Sequence, residues 1–257
     1  MMAWHRVLLC LLVVLTSGCR QQSSSTREDE LRYLRAVVEE SLLEHAHLEV
    51  AALENLKLLE ESGNDFLGLR VFGGQKLKNR GVRSELSIDF PHPSDATVQY
   101  EWRLRLPEDF EADPENRWWL IGQWHDQPDV TQGETWDNFP AHSPPILLGY
   151  GRVDGVDQLS VSYGAPDSRP IGLIPLTRGK WHSLRCVIRW STQDDGRLAV
   201  FVDGSDQPAV KAQGRNMHNA YRHYFKLGMY RDPKIQGDCW LHIDDVRISV
   251  VETSPSP

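Results

Sequence analysis

Three short runs carry the chemistry that this sequence offers. In Phe225-Lys226-Leu227-Gly228-Met229-Tyr230 a period of two puts Phe225, Leu227 and Met229 on one face and Lys226, Gly228 and Tyr230 on the other. A cation, a missing side chain and a phenol make a poor solvent face but a good floor for a ligand, and the glycine would let a substrate lie against the sheet. In Gln123-Trp124-His125 the tryptophan turns to the core while Gln123 and His125 share the opposite side; in Arg83-Ser84-Glu85 the two charged residues share a face. Tyr230 and His125 can carry a proton, and the Gln123 amide, with Arg83 or His125, can stabilise a developing anion. Singly, each element has a plain reading: an Arg–Glu pair on a strand is ordinarily a structural ion pair, and one histidine on a sheet ordinarily has no catalytic role.

The elements that must position these residues follow from composition and period. The chain has 257 residues, 40% apolar and 25% charged, with a formal charge of −8 that argues against a nucleic-acid partner. Residues 1–18 read as a signal peptide: Arg6 supplies the positive region, and Val7 to Leu15 is an apolar run too short to span a bilayer. Small residues then precede Cys19, which resembles the bacterial lipobox, where that cysteine is lipidated; the plainer reading is a secretory signal with an incidental cysteine. The lipobox predicts an exported protein anchored in the cell envelope, more readily in the outer membrane because Arg20 follows. Residues 19–27 read as a polar tether.

Residues 28–62 lack glycine and proline, and Leu31, Leu34, Val38, Leu42, His45, Leu48, Ala52, Leu56 and Leu59 follow helical spacing up to a stop at Ser62-Gly63-Asn64. The spacing predicts one long helix, about 50 Å at 1.5 Å per residue, acting as a spacer or a weak oligomerisation element. It holds ten acidic against three basic residues, so the rest of the chain is nearly neutral. From 63 to 252 short alternating runs are broken by Gly, Pro, Asn and Asp, with turn signals at Asp194-Asp195-Gly196 and Asp203-Gly204; this predicts an all-β antiparallel sandwich, with 253–257 as a tail. Cys186 and Cys239 lie in apolar strand-like runs without metal-ligand spacing and read as small core residues rather than as a bridge.

In chain order, Arg83-Ser84-Glu85-Leu86, Gln123-Trp124-His125 and Tyr224-Phe225-Lys226-Leu227-Gly228-Met229-Tyr230 resemble the three signature strands of β-jelly-roll polysaccharide lyases. Ser143-Pro144-Pro145-Ile146-Leu147 and Gly179-Lys180-Trp181-His182 are similar to stretches of the heparin-lyase-I and glucuronan-lyase group. Ser87, Trp124 and Arg231-Asp232 depart from the alginate-lyase pattern. The resemblance implies a concanavalin-like β-jelly-roll behind the helix. It also implies β-elimination on an anionic, uronate-containing polysaccharide, with Tyr230, His125, Gln123, Lys226 and Arg83 as catalytic residues and Glu85, Tyr224 and Arg231 on the substrate. In relatives the tyrosine is usually the acid toward the leaving oxygen, and the base is that tyrosine or the histidine. No cofactor is implied as required; heparin-lyase-like relatives hold a structural Ca2+, for which Asn219 and Asp245 stand at matching offsets, although Asp244-Asp245 also reads as a turn.

β-Elimination removes the C5 proton beside a carboxylate and expels the oxygen at C4, so a site must neutralise that carboxylate and move two protons. Gln123 with Arg83 or His125 suits the first task, Tyr230 and His125 the second. Three further readings compete, one of them a structural envelope lipoprotein that uses its long helix for partners. A glycoside hydrolase needs paired carboxylates on a strand, but Pro114 breaks the stretch Glu111-Ala112-Asp113-Pro114-Glu115. A non-catalytic carbohydrate-binding envelope lipoprotein would stack sugars on Trp118, Trp119, Trp136 or Tyr150.

Overall fold

The computed structural model describes residues 24–78 and 81–251. The expected signal peptide, Cys19 and the tail lie outside them. Among the described residues fourteen strands form two antiparallel seven-stranded sheets. In chain order they are β1 (Ala46–Val50), β2 (Leu56–Glu61), β3 (Asn64–Val71), β4 (Val82–Ile88), β5 (Thr97–Arg105), β6 (Trp119–His125), β7 (Ile146–Val153), β8 (Val156–Tyr163), β9 (Arg169–Leu176), β10 (His182–Arg189), β11 (Arg197–Val202), β12 (Val210–Gln213), β13 (Tyr224–Arg231) and β14 (Cys239–Val250). One sheet runs β1-β4-β13-β6-β7-β8-β9 and the other β12-β11-β10-β5-β14-β3-β2.

The long helix expected over 28–62 does not form. A helix, α1, covers only Ser24–Arg35, and the rest of that segment supplies β1 and β2, one outer strand for each sheet. The glycine taken as a helix stop is half of a hairpin turn. Ser62 (φ 55°) and Gly63 (φ 81°) both lie in the left-handed region between the paired Glu61 and Asn64, the geometry a two-residue turn needs to match strand twist. Leu34, Val37, Val38, Leu42 and Leu43 are buried, so the segment packs onto the sandwich instead of extending from it, and the boundary at residue 63 falls inside the fold. A spacer or oligomerisation helix thereby loses its basis. Among the described residues no helix is long and apolar enough to cross a membrane.

Between the sheets Tyr100, Trp102, Trp124 and Phe225 form an aromatic centre, with Trp124 and Phe225 stacked at 4.8 Å. Aromatic contacts add about 0.5–1.5 kcal/mol each to what their burial already contributes. This packing sets the phase of β6 and β13, because each side chain committed to the core sends its neighbours to the outer face. Cys186 and Cys239 are buried free thiols, as their apolar surroundings suggest.

Candidate active site

Strand register assembles a groove of about 770 Å3 on the outer face of the first sheet. In β13, Lys226 lies opposite Gln123 of β6 and Ser87 of β4, Tyr230 opposite Arg83, and Tyr224 opposite His125. Period two then sends Lys226 and Tyr230, Gln123 and His125, and Arg83 to one side. His125 and Tyr230 border the same groove, His125 toward one end and Tyr230 toward the other, with Gln123 and Lys226 between them.

Two residues hidden by the helical reading complete the floor. His47 and Glu49 of β1 alternate outward and lie opposite Ser87 and Glu85. Glu49 takes an ion pair from Lys226 at 2.7 Å and another from Arg83 at 3.3 Å. Burial pushes its carboxyl up, but His47 and the charges of Lys226 and Arg83 outweigh that and hold it well below the usual carboxylate range. The available signal was the alternation of His47 and Glu49 against Ala46, Leu48 and Val50.

Glu85 does not line the groove; it lies behind the floor, 2% exposed. Burial raises its pKa against the opposing pull of Lys226, Arg83 and the Gln123 amide. It accepts a hydrogen bond from Gln123 Nε2 at 2.7 Å and sits 3.2 Å from Arg83. Glu85 therefore positions Gln123, and since an amide has two N–H donors, fixing one leaves the other for the groove. His125 Nδ1 faces the backbone carbonyl of Asp126 at 2.8 Å and that residue's carboxylate at 2.7 Å, leaving Nε2 as the nitrogen for chemistry. Its ring stacks on Tyr224, whose own pKa burial pushes up.

The Tyr230 ring is held on several sides. The Arg83 guanidinium lies 4.0 Å from its centroid, Trp118 meets it edge-on at 4.9 Å, and Gly81 approaches so closely that a Cβ there would lie 2.2 Å from Cε2. Gly81→Ala is expected to push the ring aside with little change in Tm and to lower turnover at least ~10-fold, since a misplacement of about 1 Å can cost up to ~10²-fold. Turnover and a thermal melt of the variant check this.

Several expectations need correction. Arg231 is not on the substrate face. The alternation that turns Tyr230 outward turns Arg231 inward, where it is fully buried, stacks on Trp119 at 4.9 Å and donates to the carbonyls of Ile235 and Gly237. Gly228 does not make room for a ligand. Its φ is 146° and an added Cβ would lie 2.4 Å from the Ser84 carbonyl, so the glycine serves close approach of β4 to β13. Trp119 and Tyr150 are core residues, whereas Trp136, 64% exposed, borders the groove. Asn219 and Asp245 do not form a Ca2+ donor set. Asn219 donates to the Gln127 carbonyl beside the first sheet; Asp245, in β14 of the second, meets Arg103 at 2.8 Å and Arg247 at 3.6 Å. A carboxylate already facing two guanidinium groups is a poor ligand for a hard cation.

A family model described as polysaccharide lyase matches residues 44–247. No curated protein sequence matches the chain. Among solved structures, an endo-β-1,4-glucuronan lyase from the fungus Trichoderma reesei superposes with a TM-score of 0.58 at 15% identity, over 76% of this chain and 87% of that one. Alginate lyase AlyC3 superposes with a TM-score of 0.57 at 12% identity, over 83% and 92%. A doubly substituted form of the family 7 alginate lyase A1-II′, in complex with substrate, gives 0.54 at 12% identity, over 78% and 84%. At these identities the likeness is one of fold, the jelly-roll sandwich.

Proposed function

The chain belongs to the polysaccharide lyase family, whose model spans its two sheets from residue 44 to 247, and from that premise we propose that it cleaves a uronate-containing polysaccharide by β-elimination. The observation that carries this reading is the convergence of Gln123, Lys226, Arg83, His125 and Tyr230 on one groove. A uronan laid along the floor meets Gln123 at its centre, and the free N–H of the amide bonds the carboxylate next to C5. Tyr230 protonates the departing C4 oxygen. The C5 proton goes to His125 or to Tyr230 itself, according to the configuration at C5. Trp136 offers an exposed ring for an adjoining sugar.

Charge balance narrows the substrate. Lys226 and Arg83 are already matched by Glu49 and Glu85, and Asp89 at the groove edge is paired with Arg222 at 2.7 Å. A floor whose cations are compensated suits one carboxylate per sugar better than dense sulfation, which favours an unsulfated uronan of the glucuronan or alginate kind. Incubation with a panel of uronans, read by ultraviolet absorbance of the new C4–C5 double bond, tests the reading. Absorbance from none of them would overturn it, and rapid cleavage of a heavily sulfated chain alone would overturn the charge argument. Gln123→Ala is expected to lower turnover ~10²–10³-fold, the loss typical of one preorganised donor, with a smaller effect on KM.

For the cell-envelope location, the motif ending at Cys19 supports export and lipid attachment. Cys19→Ser is expected to move the protein to the soluble exported fraction; wild-type protein that takes up no labelled fatty acid would refute the anchor.

A further inference from the structure

At the His125 end of the groove, which His142 lines, three residues meet: Asp126 just after β6, His142 in the loop before β7 and His218 in the loop before β13. We propose that they form a binding site for a zinc-like transition-metal ion. One oxygen of Asp126 and one nitrogen from each imidazole all lie within 4.8 Å of one another. Tetrahedral zinc at 2.0–2.1 Å separates its ligands by about 3.3 Å. The set closes by side-chain rotation of the two part-buried rings around the fully buried carboxylate.

Each ligand is prepared. His218 Nε2 donates to the Ser143 carbonyl at 3.0 Å, leaving Nδ1 with its lone pair free; metal-binding histidines almost always engage their second nitrogen in this way. His142 Nδ1 and Asp126 Oδ2 are 2.5 Å apart across one proton. An incoming cation takes that proton's place between the two groups, and the proton moves to Nε2 of a neutral ring or leaves to solvent from a charged one. His218 is stacked between His142 at 4.2 Å and His223 at 6.4 Å, and His223 is buried against Trp190. Two imidazoles and one carboxylate, with a fourth position open, suit zinc, cobalt, nickel or copper and not calcium or magnesium, which prefer oxygen donors. The Asp126 carboxylate also faces His125 Nδ1, so an ion held here competes for the group that orients a groove histidine.

The test is direct binding and does not depend on the lyase reaction. The full chain, dialysed against a chelator, is titrated calorimetrically with Zn2+ alone, in buffers of different ionisation enthalpy that report proton release. One ion per chain is expected. His142→Ala and His218→Ala are each expected to weaken binding at least ~10-fold, a loss that even an outer-shell partner can produce. His218→Gln retains a donor for the Ser143 carbonyl while removing the imidazole, so it separates metal binding from folding, which thermal melts of the stripped proteins follow. His47→Ala, outside the set, is expected to bind as the wild type does. Absence of stoichiometric binding, or equal binding by wild type and His218→Gln, would overturn the site.

Discussion

Tyr230→Phe is expected to reduce turnover on a uronan by at least ~10²-fold, the lower range for loss of a general acid or base, while the thermal melt barely moves. The substitution keeps the ring, and the ring makes the contacts: Arg83 over its face, Trp118 at its edge and Gly81 beneath it. Only the hydroxyl is lost, and with it the proton donor proposed for the C4 oxygen. KM should change little, because an interaction made in the transition state alone appears in kcat. His125→Ala in parallel separates the two assignments of the base. If His125 takes the C5 proton, its loss matches that of Tyr230→Phe; if Tyr230 serves both steps, the histidine variant keeps most of its turnover. Initial rates at saturating uronan, followed by double-bond absorbance, provide the comparison. Turnover of Tyr230→Phe within a few-fold of wild type would remove the tyrosine from the mechanism.

Deletion of residues 1–62 is expected to abolish cooperative folding. The deletion uncovers β4 on one sheet and β3 on the other, leaving rows of unpaired backbone donors and acceptors. It also removes Leu34, Val37, Val38, Leu42, Leu43 and Leu56 from the core. At ~1.5–3 kcal/mol for each fully buried aliphatic side chain, their loss amounts to ~10 kcal/mol or more, against a total stability of ~5–15 kcal/mol for a typical domain. The same cut takes away Glu49, leaving Lys226 and Arg83 without that partner at the groove floor. Thermal and denaturant melts of the truncated chain check this. A sharp transition near that of the full protein would show that the first 62 residues are dispensable.

The sequence by itself determined the central strands of this protein and the side chains that face its groove. In Gln123-Trp124-His125 of β6 and Phe225 to Tyr230 of β13 inward and outward residues alternate, as Arg83 and Glu85 do about Ser84 in β4, so a local pattern dictates which side chains reach the outer face; Arg83, Gln123, His125, Lys226 and Tyr230 are all found there. The same rule, applied one residue further, places Arg231 in the core, where the resemblance implied a substrate contact. Residues 46–61 were not legible in this way. Their Leu, Glu and Ala content favours a helix, and the apolar positions fit a helical period closely enough to hide a strand pair. Pairing with β4 and β3 overrides that propensity, because burying Leu56 and capping two sheet edges outweighs the small helical preference of each residue. Glu49 entered the groove with β1, and Asp126, His142 and His218 were brought together by loops whose course carries no periodic signal. Contacts between residues far apart in the chain depend on how the two sheets close on each other, and only the tertiary structure decides that.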